Sequence, residues 1–282
     1  MPVPVIAVTG CTGAVGGSVA QLLAEAGASQ RLLARSPERA PTFAGAEIRA
    51  SEYADAASST AALEGVDVLF MVSAHETADR VDQHRAFIDA AASAGVRHVV
   101  YTSFHAAGPE AVFTLARDHG ATEEHLRGSG LDWTFLRDSF YLDFAPHLVG
   151  EDGVIRGPAG QGRYAPVARA DVARCAAAVL QDPAAHRGRT YELTGRESLT
   201  MAEVAATIAG ATGSEVTFHD ETIEEAYASR ASYGAPDWQV DAWVSTYTSI
   251  ASGEQDVVSG DVLDLTGRVP RTLAEHLAAE GR

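Results

Sequence analysis

Short apolar runs alternate with segments of helical periodicity from residue 4 to residue 136. The apolar runs are typical of buried strands, and the segments between them repeat apolar residues with the period of a helix. Glycines stand where these helices are expected to end, at Gly27, Gly65, Gly95 and Gly130. Strands that alternate with helices form a parallel sheet with right-handed crossovers. The sequence therefore predicts an α/β fold with a doubly wound parallel sheet of the Rossmann type.

A glycine-rich turn follows the first predicted strand, with Gly10, Gly13 and Gly16 in close succession. Glycine lets a backbone approach a diphosphate, and the free N–H groups and positive dipole end of the next helix attract phosphate oxygens. The structural alternative is an ordinary strand-to-helix turn. We predict a dinucleotide site, and its phosphate contacts are Gly10, Thr12, Gly13, Ala14 and Val15.

The predicted elements divide the chain into a regular and an irregular part. The regular part has strands at 4–9, 30–34, 46–49, 66–72, 97–102 and 131–136, and helices at 15–26, 58–64, 79–94 and 114–128. Beyond residue 138 we predict helices at 169–181, 200–210, 221–231, 237–250 and 273–279, and strands at 189–194 and 215–218. Residues 1–150 are thus expected to form the dinucleotide-binding domain. Residues 151–282 are expected to form a smaller α/β part, interleaved with and packed on the first, that lines the substrate pocket.

The end of the second predicted strand indicates the cofactor. An acidic residue at this position binds the ribose hydroxyls of NAD, whereas Arg35 stands here. A guanidinium pairs with a 2′-phosphate through charge-assisted hydrogen bonds. We therefore predict NADP as the cofactor, with a solvated surface arginine as the alternative.

Charge and residue usage exclude several classes of function. The net charge of −17 opposes binding to nucleic acid or to an anionic membrane. All 21 basic residues are arginine, so chemistry that needs a lysine amine is excluded, including Schiff bases, Walker A loops and a Tyr-x-x-x-Lys pair. No apolar run has the length of a signal peptide or membrane span, and we expect a cytoplasmic protein. The two cysteines and ten histidines show no disulfide or metal-ligand spacing, so no metal site is predicted.

Thr9 to Gly16 has the form T-G-x-T-G-x-x-G, and several later segments resemble the NmrA-like branch of the atypical short-chain dehydrogenases/reductases. These segments are Arg35-Ser36-Pro37, 82–85, 100–103, 133–137, 170–173 and 267–275. The likeness is greatest to the bacterial NADPH:quinone oxidoreductases of that branch. It implies hydride transfer from NADPH to a small-molecule quinone or similar electrophilic carbonyl compound, and it allows a homodimer. The branch also includes non-catalytic redox-sensing regulators that bind NADP(H), which is the alternative function.

The resemblance also implies cofactor contacts where later strands end. Asp55 would hold the adenine, with a helix N-cap as an equally good explanation. Ser73 would lie beside the ribose, and Phe140 and Tyr141 would flank the nicotinamide. Further contacts are expected at Tyr101, Thr102 and Ser103. Simple packing is the alternative for each of these residues.

Catalysis has to proceed without the usual lysine. Where related proteins often carry that lysine, residues 121–126 offer Glu124 or His125. Quinone reduction needs less from the protein, because a pocket that stacks the acceptor on the nicotinamide provides much of the rate. We predict His105 as proton donor, with a loop histidine as the alternative, and Tyr141 as the second catalytic residue. The candidate pocket walls are Phe104, His105, Phe140, Tyr141, Phe144, Trp243 and Tyr247, although the helical spacing of the last two is also typical of core.

Overall fold

A computed structural model describes residues 4–280. Numbered in chain order, its strands are β1 Ile6–Val8, β2 Gln30–Ala34, β3 Glu47–Ala50, β4 Val68–Met71, β5 His98–Phe104, β6 Asp132–Asp138, β7 Val154–Gly157, β8 Arg163–Tyr164, β9 Arg189–Leu193, β10 Leu199–Thr200 and β11 Thr217–Asp220. Its helices are α1 Ala14–Glu25, α2 Ala56–Leu63, α3 Arg80–Ser93, α4 Thr114–Gly128, α5 Arg169–Gln181, α6 Met201–Thr212, α7 Ile223–Arg230, α8 Asp237–Ala251, α9 Asp261–Thr266 and α10 Leu273–Glu280.

Seven strands form one sheet in the order β3-β2-β1-β4-β5-β6-β9. All neighbouring strands in it are parallel. Because parallel strands all end at the same edge, the segments that follow β1, β2, β4, β5 and β6 meet there. The predicted doubly wound Rossmann-type sheet is confirmed.

The strands are buried on both faces because helices cover each side. On one face α1 and α5 pack against alternate strand residues such as Val100 and Leu136. On the other face α2, α3 and α4 pack against their neighbours, such as Tyr101 and Phe135. Side chains of successive strand residues point to opposite faces, so a single strand such as β5 contributes to both cores.

The C-terminal part contributes to the main sheet as well as to a smaller core of its own. β9 pairs with β6, and α5 packs on α1. The remainder contains the parallel pair β7–β11, the antiparallel pair β8–β10 and an apolar cluster that includes residues of α6, α8 and α10. The domain boundary at residue 150 stays a prediction.

Short elements account for the differences from the sequence prediction. α9, of six residues, was not predicted, because so short a helix shows less than two turns of periodicity. A 3₁₀ segment at Leu142–Leu148 was also not predicted, and it contains Pro146. Thr200 and Glu203 form a capping box at the start of α6.

Two negative findings apply to residues 4–280. No helix among them combines the length and apolar content needed to cross a bilayer. No group of three or more His, Cys, Asp or Glu side chains in that range is arranged to hold a metal ion.

Candidate active site

The turn between β1 and α1 can be built only with glycine at two of its positions. Gly10 has φ +61°, a left-handed conformation that side chains disfavour. A Cβ atom on Gly16 would lie 2.4 Å from the carbonyl oxygen of Gly10. The N–H of Gly13 donates to that same oxygen at 2.9 Å, which closes the turn. The predicted tight glycine turn therefore follows from steric limits within the chain itself.

The start of α1 is open to an anion. Gly13 is the N-cap residue, so no side chain caps the helix, and the first turn contains no acidic residue. The first N–H groups of a helix have no partner within it, and their partial positive charge attracts phosphate. Gly10, Thr12, Gly13 and Ala14 are exposed, whereas the Val15 side chain is buried. The backbone of this turn thus forms a cradle that fits a diphosphate.

Arg35 follows β2 directly and is exposed. Within residues 4–280, no carboxylate pairs with it and no atom accepts a hydrogen bond from it. Arg31, by contrast, binds Glu47 at 2.6 Å and two carbonyl oxygens of the α2 region at 2.8 Å. Arg31 therefore holds the sheet edge to α2, and Arg35 is the arginine at this strand that is available to a ligand.

The loop after β4 is fixed by three side chains from different elements. The backbone N–H groups of residues 72–74 donate in turn to Oγ1 of Thr9, Oγ1 of Thr102 and Nε2 of His84, each at 2.8 Å. Burial lowers the pKa of His84 to about 3, so the ring is neutral. Because its Nε2 accepts a hydrogen bond, its one proton is on Nδ1. The carbonyl oxygen of Val72 also accepts from the Tyr53 hydroxyl at 2.6 Å, so the loop is held from both its amides and its first carbonyl. The roles of Thr9 and His84 were not predicted.

Two predicted cofactor contacts have evident structural roles. Oδ1 of Asp55 accepts from the N–H of Ser58 at 3.0 Å and caps α2. Asp55 thus has the N-cap role that was the alternative to an adenine contact, and the adenine contact stays a prediction. Tyr101 is fully buried, and its hydroxyl bonds to Nδ1 of His119 at 2.9 Å. The structure does not support a cofactor contact by the Tyr101 side chain, because it lies in the core between the sheet and the helices α3 and α4.

A buried carboxylate occupies the face of α4 that lies toward the sheet. Glu123, which is 1% exposed, accepts from the Ser103 hydroxyl at 2.6 Å. It also accepts two hydrogen bonds from Arg137, at 2.8 and 2.7 Å. Ser103 is therefore engaged within the protein. The residue of α4 that faces Ser103 is therefore Glu123. Glu124 is exposed, and His125 pairs with Asp89.

The His105 side chain links two segments that are distant in the sequence. Its Nδ1 lies 2.6 Å from Oε2 of Glu192 in β9, and its Nε2 lies 3.1 Å from the carbonyl oxygen of Glu254. The side chain is buried, and the next residue, Ala106, has the left-handed φ of +57°. The structure does not support His105 as the proton donor, because both ring nitrogens are occupied and the ring is shielded from solvent.

Tyr141 directs its hydroxyl toward the core. It donates to Oδ2 of Asp138 at 2.6 Å. Burial raises the pKa of Asp138 to about 8, although this hydrogen bond lowers it. Burial also raises the pKa of Tyr141 well above its usual value. The structure therefore does not support proton donation by Tyr141.

Aromatic rings cluster where β5 and β6 end. Phe104, Phe113 and Phe140 lie with ring centroids 4.9 to 5.2 Å apart. Two of them, Phe104 and Phe140, were predicted pocket walls, and Phe113 was not. Tyr247 instead packs against Gly157 in the C-terminal core. It therefore has the core role that was the alternative to its being a pocket wall.

Comparison with known proteins agrees with this geometry. The NAD(P)H-binding family model matches residues 10–183. The chain belongs to this NAD(P)H-binding family. Quinone oxidoreductase 2 of Escherichia coli is 35% identical over 281 residues, which are 97% of each chain. The NAD(P)H azoreductase of Xenophilus azovorans is 32% identical, with 98% of this chain and 99% of the relative aligned.

Solved structures extend the comparison to the fold. The crystal structure of the NADPH-dependent quinone oxidoreductase of Escherichia coli with NADPH has a TM-score of 0.90 at 34% identity, covering 98% of this chain and 100% of that one. NmrA, a negative transcriptional regulator, shares the fold with a TM-score of 0.77 at 19% identity. The predicted family and the prediction of an NAD(P)H oxidoreductase are confirmed.

Proposed function

We propose that this family member is an NADPH-dependent reductase that passes hydride to a quinone or a similar electrophilic carbonyl compound. The observation that carries the proposal is the uncapped, exposed glycine turn of α1 with an unpaired arginine at the end of the neighbouring strand. The full-length likeness to a quinone oxidoreductase and an azoreductase supports it.

Each part of the site has a task in this proposal. The turn from Gly10 to Val15 holds the diphosphate, and Arg35 pairs with the 2′-phosphate. Ser73, on the fixed loop after β4, lies beside the ribose. The aromatic cluster around Phe140 positions a planar acceptor and excludes water. A bound nicotinamide coenzyme supplies the hydride itself.

The proton comes from solvent in this proposal. The chain has no lysine to activate a phenol, and the polar atoms of His105 and Tyr141 are hydrogen-bonded inward. A quinone suits such a site, because the reduced product is a delocalised anion that takes a proton from water without a protein acid. A simple ketone gives a more basic alkoxide and needs that acid.

Turnover with a panel of acceptors tests the function. We expect purified protein with NADPH to reduce small quinones well above the uncatalysed rate, and to reduce unactivated ketones far more slowly. The measurement is the loss of absorbance of the reduced nicotinamide. Tight binding of NADPH without turnover of any acceptor would contradict the proposal and favour the redox-sensing regulator.

Replacement of Arg35 tests the choice of coenzyme. We expect Arg35→Gln to weaken NADPH binding by about 1.5 kcal/mol or more, roughly ten-fold, since a charge-assisted hydrogen bond to the 2′-phosphate is lost. NADH binding should stay unchanged, because NADH lacks that phosphate. The measurement is calorimetric titration at fixed ionic strength.

A matched control for this substitution is Arg85→Gln. It makes the same change in net charge on α3, at a half-exposed arginine that pairs with Asp82, and should leave both affinities unaltered. If Arg35→Gln weakens the binding of NADPH and of NADH equally, Arg35 does not bind the 2′-phosphate.

A further inference from the structure

An arginine without a protein partner lies over two aromatic rings beside the site. The guanidinium carbon of Arg169 is 4.2 Å from the centre of the Phe144 ring and 5.1 Å from that of Tyr141. The backbone N–H of Arg169 donates to Asp143 at 3.0 Å. Its guanidinium, however, neither pairs with a carboxylate nor donates a hydrogen bond anywhere in residues 4–280. Arg31 and Arg137, which are also half-buried in this acidic chain, are by contrast both paired with carboxylates.

Stacking on a ring prepares a guanidinium for an oxyanion. The ring covers one face of the planar group, while the N–H donors stay available in the plane at its edge. Those donors match two oxygens of a phosphate, sulfonate or carboxylate. Phe144 is 48% exposed, so the stacked pair is accessible from solvent.

The fold brings Arg169 to the same edge of the sheet as the glycine turn. Arg169 is the first residue of α5, as Ala14 is of α1, and each helix leads into a strand of the parallel sheet. The two helices therefore run in the same direction. Val15 in the first turn of α1 and Val172 in the first turn of α5 both belong to the core cluster on this face of the sheet, and the N-terminal ends of the two helices lie at the same edge of the sheet.

We propose that Arg169, stacked on Phe144 and Tyr141, is an oxyanion-binding residue of this active site. The group it binds is either the diphosphate of the coenzyme or an acidic substituent on the acceptor. The second source rests on the proposed function, whereas the first requires only that the chain binds a dinucleotide.

Direct binding measurements with Arg169→Gln separate the two sources. The first probe is NADPH. The second is 1,4-naphthoquinone-2-sulfonate, titrated in the presence of NADP⁺ so that no turnover occurs, with uncharged 1,4-naphthoquinone as its matched neutral analogue. Arg85→Gln serves as the charge control, and Phe144→Leu removes the nearer of the two rings but keeps the arginine.

A coenzyme contact predicts that Arg169→Gln weakens NADPH about ten-fold and leaves the preference between the two naphthoquinones unchanged. A substrate contact predicts unchanged NADPH affinity and about ten-fold weaker binding of the sulfonate, with the neutral quinone unaffected. In either case Phe144→Leu should weaken the same ligand to a smaller extent, which tests the proposal even if Arg169→Gln folds poorly.

Unchanged affinity for all three probes in Arg169→Gln would overturn the proposal. So would equal weakening of the sulfonate and the neutral quinone, because that result means a change of pocket shape without charge recognition. If the wild-type protein reduces no quinone, the proposed function fails, yet these titrations still decide the role of Arg169.

Discussion

Replacing Gly13 by valine should abolish binding of NADPH and NADH together while the protein remains folded. Gly13 has φ −101° and ψ 177°, extended values that valine adopts readily. A Cβ atom there would come no closer to the protein than 3.4 Å, at the carbonyl oxygen of Gly10. The side chain would therefore project from the exposed turn, where the diphosphate is expected, and displace it from the helix N–H groups. The lost charge-assisted hydrogen bonds should weaken the free energy of coenzyme binding by at least ~3 kcal/mol, which lowers the affinity more than 100-fold.

Gly16→Ala gives the contrasting result for the same turn. Its Cβ would lie 2.4 to 2.6 Å from backbone atoms of Thr9 and Gly10, so the fold itself would be strained. We expect Gly16→Ala to lower the unfolding temperature and Gly13→Val to leave it within a few degrees of the wild type, as measured by thermal denaturation. Retained coenzyme binding in a folded Gly13→Val protein would show that the diphosphate does not lie at this turn.

The turn was predictable because everything that defines it is local. Gly10, Gly13 and Gly16 are followed within a few residues by a helix, and the strand before them is a plain apolar run. The position of Arg35 was predictable in the same way, since the end of β2 can be located from its own residues. Parallel strands then bring such segments together at one edge without further information.

Residues whose role depends on partners far along the chain were not predictable in that way. His105 is tied to Glu192 and Glu254, which are 87 and 149 positions away, and no short motif encodes such a pair. The inward hydroxyl of Tyr141 depends on burial of Asp138, which in sequence looks like any acidic residue at a strand end. For this reason the sequence could not show that the polar atoms of the two predicted catalytic residues, His105 and Tyr141, are hydrogen-bonded inside the protein.

Glu123 differs, because a signal for it was present. Leu115, His119, Thr122 and Leu126 recur at the spacing of one buried helix face, and Glu123 lies four residues after His119 on that face. Glu124 is turned about 100° away from it and points to solvent. Phasing α4 by its apolar residues would therefore have selected Glu123 over Glu124 as the carboxylate that faces the sheet.

Arg137 is the cation that binds the buried carboxylate of Glu123 with two hydrogen bonds. Arg137 donates to Glu123 twice and also pairs with Glu192, at 3.3 Å. Through Glu192 it is linked to His105, and so to the segment near Glu254. Removing its charge leaves Glu123, which is 1% exposed, as an insufficiently compensated anion inside the protein.

Arg137→Met should therefore lower the free energy of unfolding by about 3 kcal/mol or more, because the buried Glu123 keeps only a largely exposed arginine as cation, and a poorly compensated buried charge is far more costly than a lost surface pair. Arg127→Met is the matched control: Arg127 also pairs with Glu123, at 3.0 Å, but its side chain is 44% exposed. For that variant we expect a loss of about 1 kcal/mol or less from the ion pair, as determined by urea denaturation of both variants in the same buffer. Similar losses in the two variants would mean that the second arginine compensates Glu123 as well as the first. The link from Ser103 through Glu123, Arg137 and Glu192 to His105 would then contribute little to holding the ends of β5, β6 and β9 together.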